Sequence, residues 1–188
     1  RPEAGRKLIE NINRIYDADF SVIVYNFLDI LSHARTETDI IRELTEDEAS
    51  FRSLTRSWFE HSDLFVLLKL LSERGHTVII TSDHGTIRVD NPVKVLGDRE
   101  TSSNLRYKTG RNLQYNAREV YEVTRPEDIQ LPRVNLSSSY IFAYNSDFLV
   151  YNNDANRFIR YYRNTFQHGG ISMEEMIVPY IVLKPKNK

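Results

Sequence analysis

The sequence predicts an α/β fold with an antiparallel β insertion, and three observations carry that prediction. Two short β-branched runs, Phe20–Tyr25 and Thr77–Thr81, bracket a long stretch of helical apolar spacing. Strand, helices, strand is a βαβ unit, whose crossover favours a parallel sheet with helices on its faces. Past Asp83 the pattern changes to shorter, more polar strands.

The elements follow in order. From Gly5 to Tyr16, Leu8, Ile9, Ile12 and Ile15 recur at helical spacing. Phe20–Tyr25 then predicts a buried strand, and Asn26–Thr36 a loop or a single helical turn. Helices are expected over about Glu46–Glu60 and Asp63–Arg74, with Leu54, Trp58, Leu64, Leu67, Leu68 and Leu71 as their apolar positions. Gly75 is placed to end the second. Thr77–Thr81 is the next buried strand, followed by shorter ones near Thr86–Leu96 and Glu119–Val123. Tyr140–Ala143 and Phe148–Tyr151, joined by Asn145-Ser146-Asp147, predict a hairpin. Asp154–Phe166 is helical and rich in Tyr and Arg, and Ile177–Leu183 is a final apolar strand.

The 188 residues suffice for one good-sized core. A hydrophobic share of 40% with 27% charged residues fits a globular chain and argues against disorder. The net charge of −1 argues against a sequence-wide nucleic-acid binder, which would carry a basic excess, but leaves room for a local basic patch. With no cysteine, disulfides and thiolate metal sites are excluded, so any metal must sit on His, carboxylate or hydroxyl ligands. No run approaches the roughly 18 consecutive apolar residues of a membrane span. The start, Arg1-Pro2-Glu3-Ala4-Gly5, has neither an initiator Met nor the apolar core of a signal peptide. We therefore expect a fragment of a longer, soluble, cytoplasmic protein without membrane insertion.

Four stretches could carry chemistry. In Ile79-Ile80-Thr81-Ser82-Asp83-His84-Gly85 a strand runs directly into Asp-His-Gly. Sites of open α/β sheets lie beyond such strand ends, and Asp oxygen with His nitrogen suits zinc or a similar ion. The alternative is a solvated turn. Asp29 and His33 repeat the logic after Val22–Tyr25: four residues apart, they share a face if the segment is helical. Otherwise Asp29 caps a helix and His33 is merely exposed. His168, before Gly169 and Gly170, is a third ligand candidate. Ser172 with Glu175 has the form of a capping box, helix punctuation more than chemistry. His61 and His76 are expected to be structural or solvated.

The fourth stretch, Asp98–Asn112, interleaves Arg99, Arg106, Lys108 and Arg111 with Tyr107. Such a pattern could hold phosphate and stack a base, or it is an ordinary charged loop. Arg157, Arg160, Tyr161, Tyr162 and Arg163 fit a packed helix face with solvated arginines.

Together, Asp29-x3-His33, Ser82-Asp83-His84-Gly85 and His168-Gly169-Gly170 resemble the alkaline-phosphatase superfamily, specifically its PglZ-type branch. Within that branch, Asp29–Glu37, Asp83–Val89, Asn104–Lys108 and Phe166–Glu175 resemble the effector domains of PorX-type response regulators of type IX protein secretion. The resemblance spans essentially the whole chain, making residues 1–188 the C-terminal part of such a domain.

It implies an α/β/α sandwich with a two-ion Zn2+ site. Asp29, His33 and His168 would hold one ion, Asp83 and His84 the other. A further Asp and a nucleophilic Thr or Ser belong to the pattern but match no position here, so they are expected upstream, with a receiver domain, and the fragment alone is expected to be inactive. The implied activity is phosphodiester hydrolysis on cyclic and linear oligonucleotides. Arg106, Tyr107, Lys108 and Arg111 are the candidate substrate contacts. Signalling proteins of the secretion system would be partners, and a homodimer is compatible with that role. Two alternatives remain: a metal-stabilised signalling module acting by protein contact, and a phosphomonoesterase or mutase of the same superfamily.

Overall fold

A computed structural model describes residues 2–45, 47–97, 102–133, 139–151 and 155–185, with the side chains at 2–4, 33, 35–37, 39 and 42 excepted. The chain divides into two units, Arg1–Thr81 with Pro179–Lys188 and Ser82–Val178.

In the first unit the helix expected from Gly5 to Tyr16 is two, α1 (Pro2–Glu10) and α2 (Asn13–Tyr16). The break lies at Asn11, whose side-chain amide donates to the Lys7 carbonyl at 2.8 Å. This is the local competition that makes Asn a poor helix-interior residue. α3 (Phe27–Glu37) is a helix of three turns rather than a loop or a single turn. Stacking of Phe27 on Trp58, with centroids 4.0 Å apart, fixes its start. α4 (Asp39–Leu44), α5 (Glu48–Glu60) and α6 (Asp63–Glu73) follow.

Asp47 caps α5 by accepting from the Ser50 N–H, and Ser62 caps α6 by accepting from that of Phe65. At the other end of α6, the His76 N–H reaches the Leu71 carbonyl and the Gly75 N–H reaches that of Ser72. These are the two bonds of a Schellman motif, with Gly75 at φ +83° supplying the left-handed residue.

Two expectations fail in this unit. Phe20–Tyr25 is not a strand: Phe20, Val22 and Val24 are each more than 70% exposed. β1 (Val78–Thr81) is a strand as expected, but it pairs antiparallel with β9 (Tyr180–Leu183), Val78 opposite Leu183 and Thr81 opposite Tyr180. A parallel βαβ unit is therefore not formed among the described residues. β-Branched composition favours extended backbone, but a strand also needs a hydrogen-bonding neighbour, which composition does not specify.

Among its described residues the second unit holds three small sheets. β2 (Ile87–Val89) pairs antiparallel with β8 (Thr165–Gln167), and β3 (Asn91–Val95) pairs parallel with β7 (Asp147–Tyr151). β4 (Tyr107–Gly110), β6 (Ser139–Ala143) and β5 (Val120–Val123) form an antiparallel sheet in the order β4-β6-β5. Among the described residues the unit also holds α7 (Ala155–Tyr162), α8 (Met173–Met176) and a short 3-10 turn at Pro126–Ile129. α7 stops short of the expected Phe166, because Thr165–Gln167 is drawn into the ladder with β2.

The antiparallel insertion expected past Asp83 is thus present, but the hairpin over Tyr140–Tyr151 is not. β6 and β7 enter different sheets, joined by a turn in which the Asp147 N–H bonds the Tyr144 carbonyl. The cause is burial. Tyr140–Ala143 and Phe148–Val150 are buried without alternation, the mark of strands covered on both faces. Val93, Val95, Val120, Ile141, Ala143 and Leu149 form one apolar cluster; Val89, Phe148, Val150 and Ala155 form another. Across the chain the fold is mixed helix and strand in small sheets. No described helix is long and apolar enough to cross a membrane.

Candidate metal centre

The β2–β8 ladder begins with Ile87 opposite Gln167. Residues just before Ile87 and just after Gln167 therefore leave the same end of one ladder. His84, three residues before Ile87, and His168, next after Gln167, lie there, and their rings stack with centroids 3.9 Å apart and planes 11° from parallel. A ring nitrogen of each lies within 4.8 Å of one on the other. A tight antiparallel pair thus delivers two imidazoles to one place from positions 84 residues apart in sequence.

Hydrogen bonding orients the first ring. His84 Nδ1 lies 2.9 Å from the Gly85 carbonyl, an acceptor, so Nδ1 carries the hydrogen. The lone pair of the neutral ring is then on Nε2, an arrangement typical of metal-binding histidines. Asp83 accepts from the His84 N–H at 3.1 Å, and its Oδ1 is 3.8 Å from His84 Nε2. Its side chain is 91% exposed, so it stays hydrated beside the imidazole.

The glycines are required by close approach. The Gly85 N–H donates to the Glu175 carbonyl at 2.8 Å, and a Cβ there would meet the Glu174 carbonyl oxygen at 2.0 Å. Gly169 has φ +100°, and a Cβ there would come within 2.9 Å of the Asn104 amide. Asn104 in turn donates to the His168 carbonyl and accepts from the N–H groups of Arg106 and Tyr107.

Beneath these loops lies a buried ion pair. Arg106 Nε and Nη2 donate to the two Glu175 carboxylate oxygens at 3.0 and 2.9 Å, and Nη1 donates to the Asp147 carbonyl. The Glu175 carboxylate also accepts from the N–H groups of Gly170 and Ser172, the latter closing the capping box of α8. Burial pushes the Glu175 carboxyl up. The hydrogen bonds and charge of Arg106, with Ser172 and Gly170, outweigh that and hold its pKa below the ordinary value.

The basic–aromatic stretch differs from a solvated phosphate-gripping loop. Arg106 is fully buried, with its guanidinium committed to Glu175. Lys108 is buried too, its ammonium 4.4 Å from the centroid of Tyr151, and burial lowers its pKa to about 8. Tyr107 is half-buried against Tyr140 and Phe142. Arg111 is exposed, and Arg99 lies outside the described residues. The reason is register: Lys108 and Gly110 on β4, and Arg106 immediately before it, are the buried positions of an alternating run.

In the other unit, Asp29 and His33 stand one turn apart on α3, the spacing expected of them. His61 and His76 take structural roles, His61 Nδ1 at 2.8 Å from the Ser57 carbonyl and His76 stacked on Tyr16. What sequence reasoning missed is the Arg106–Glu175 pair and Asn104. The one available signal was Glu175 at the third helical position after a Gly-Gly bend.

Residues 1–183 match a family described as the BREX system PglZ alkaline phosphatase-like domain. The chain belongs to the PglZ family. No curated protein matches it. PglZ membership places it in the phosphoesterase superfamily of alkaline-phosphatase-like domains, phosphoric-ester hydrolases whose members are usually metal-dependent. The donors of this PglZ chain fit such an ion: nitrogen and oxygen ligands only, and a tautomer that leaves His84 Nε2 free to coordinate.

Proposed function

We infer that the chain is part of a zinc-dependent phosphodiesterase acting on cyclic and linear oligonucleotides, in the cytoplasm, as effector domain of a PorX-type response regulator of type IX secretion. The observation that carries the catalytic half of this reading is the stacked pair His84 and His168 in a PglZ domain. The secretion role rests on the sequence blocks Asp29–Glu37, Asp83–Val89, Asn104–Lys108 and Phe166–Glu175.

In this proposal Asp29, His33 and His168 ligate one ion and Asp83 and His84 the second, following the family's division of ligands. Two such ions, when bound, screen charge on the phosphate and acidify an attacking hydroxyl. The chain's own part is to hold the ligands. The Nδ1–H of His84 is fixed on Gly85, and Asp83 stays exposed for coordination. Arg111 is an exposed cation of that stretch that could meet a phosphodiester. The Thr or Ser nucleophile and the further Asp match no position here and are proposed to come from elsewhere in the polypeptide. Partners of the signalling pathway, and a homodimer, complete the proposal.

One observation favours a second reading. Burial of Arg106 and Lys108 withdraws two of the four groups that pointed to a nucleotide-sized substrate. A phosphomonoesterase or mutase therefore stands beside the phosphodiesterase. The test incubates the zinc-loaded full-length protein with bis-p-nitrophenyl phosphate, p-nitrophenyl phosphate and a short cyclic oligonucleotide, with and without chelator. Chelator-sensitive cleavage of the diester and the oligonucleotide supports the first reading. Cleavage of the monoester alone supports the second. Turnover of none leaves a signalling module acting by contact.

A further inference from the structure

We propose that Arg106 and Glu175 form a positioning clamp that sets the separation of His84 and His168. The proposal rests on the metal-centre reading above and adds residues to it that touch neither metal nor substrate.

The connections run through one residue. Glu175 meets the His84 loop through its backbone, its carbonyl accepting from the Gly85 N–H. It meets the His168 loop through its side chain, its carboxylate accepting from the Gly170 N–H. A single residue therefore spans both histidine loops, and any rotation of Glu175 moves one relative to the other. Arg106 prevents that rotation. Its two-point contact fixes the plane of the carboxylate, which a single hydrogen bond would leave free to turn. Its remaining nitrogen is anchored to the Asp147 carbonyl at the start of β7. The Arg106 backbone completes the frame, because its N–H bonds Asn104, which holds the His168 carbonyl.

Packing leaves the frame little room to yield. Arg106 and Glu175 are both fully buried, and Gly85 and Gly170 pass too close to Glu174 and Glu175 to carry a side chain. A purely stabilising ion pair would not need to touch both loops, since apolar replacements of similar volume often serve stability as well.

Arg106→Lys is the discriminating variant, because it keeps the charge and loses the two-point contact. Three quantities are read on the full-length protein: melting temperature, zinc affinity by titration, and the nuclear Overhauser effect between the His84 and His168 rings in metal-free protein. Ile141→Val serves as a destabilised control away from the clamp. We expect Arg106→Lys to weaken zinc binding at least about tenfold and to lose the ring–ring effect. Ile141→Val, even at an equal drop in melting temperature, should change neither. Glu175→Gln should behave as Arg106→Lys does. If Arg106→Lys keeps the ring–ring effect, or if Ile141→Val loses affinity to the same degree, the clamp is overturned. If the wild type takes up no zinc, the metal reading fails, and the ring–ring effect in metal-free protein still decides the clamp.

Discussion

Gly85 and Glu175 are joined backbone to backbone, the N–H of one donating to the carbonyl of the other at 2.8 Å. The contact is possible only because position 85 has no side chain, and the neighbouring Glu174 carbonyl would lie 2.0 Å from a Cβ. Gly85→Ala should therefore move the loop that carries His84. We expect a loss on the order of 2 kcal/mol, as for overpacking in a core, and zinc uptake reduced in proportion to the displaced histidine. A melting curve and a zinc titration on the same preparation check both.

Glu175 should make stability acid-sensitive. Its carboxyl titrates below the ordinary value, so it contributes stability that is fully present above about pH 4.5 and is lost as pH falls through the lowered native pKa. Glu175→Gln leaves the Arg106 guanidinium buried with a neutral partner, at a cost of about 3 to 5 kcal/mol near neutral pH. The gap between wild type and variant should close below the carboxylate range. Denaturant melts at pH 7 and pH 3 measure it.

Lys108 carries the opposite sign. Its native pKa is about 8 against 10.5 for an open chain, so the unfolded protein binds more protons between those values. Stability should therefore rise as pH climbs from 8 to 10.5, after the opposing titration of other groups is subtracted. Lys108→Met removes the buried charge. We expect it to stabilise the fold at pH 7 by about 1 to 3 kcal/mol, with the gain shrinking as pH rises. Loss of stability in Lys108→Met would show that the contact with the Tyr151 ring outweighs desolvation.

The proposed ligand sets predict about two zinc ions per full-length chain. His33→Ala and His168→Ala should each remove the same ion, and Asp83→Ala the other. Elemental analysis of each variant decides the grouping, and a His168→Ala protein that keeps both ions at wild-type affinity would break it. Arg111→Ala should raise KM without changing metal content, since that side chain would meet substrate and not metal.

Much of the helical part was legible because its signals are local. Gly75 announces the end of α6, the spacing of Leu54, Trp58, Leu64, Leu67, Leu68 and Leu71 announces α5 and α6, and Ser172 with Glu175 announces α8. The sheets were harder to foresee. Asn145-Ser146-Asp147 correctly marks a turn, but nothing near it says that β6 will pair with β4 and β5 while β7 pairs with β3. Phe20–Tyr25 has the composition of a strand and no partner among the described residues. Arg106 was the least legible. A guanidinium between Leu105 and Tyr107 reads as solvated until the carboxylate that neutralises it appears 69 residues later. The His84–His168 stack has the same character, set by a ladder between distant segments and not by either motif alone.

The strand pairings nest like brackets. Val78 meets Leu183, inside that pair Ile87 meets Gln167, and inside that again Asn91 meets Asp147. During synthesis, then, β1 emerges from the ribosome with no partner and waits for β9, about 100 residues later. At roughly 5 to 20 residues per second that is a delay of about 5 to 20 seconds. The β4-β6-β5 sheet lies inside all three and is complete at Ala143, so it is the first whose strands are all available; β3 with β7 follows, and each outer pair must wait longer. Chain ordering should therefore proceed from the middle outward, with the histidine loops set only after β8 has arrived. A slow translational pause placed after β7 would let the inner sheet form before the outer strands compete for it.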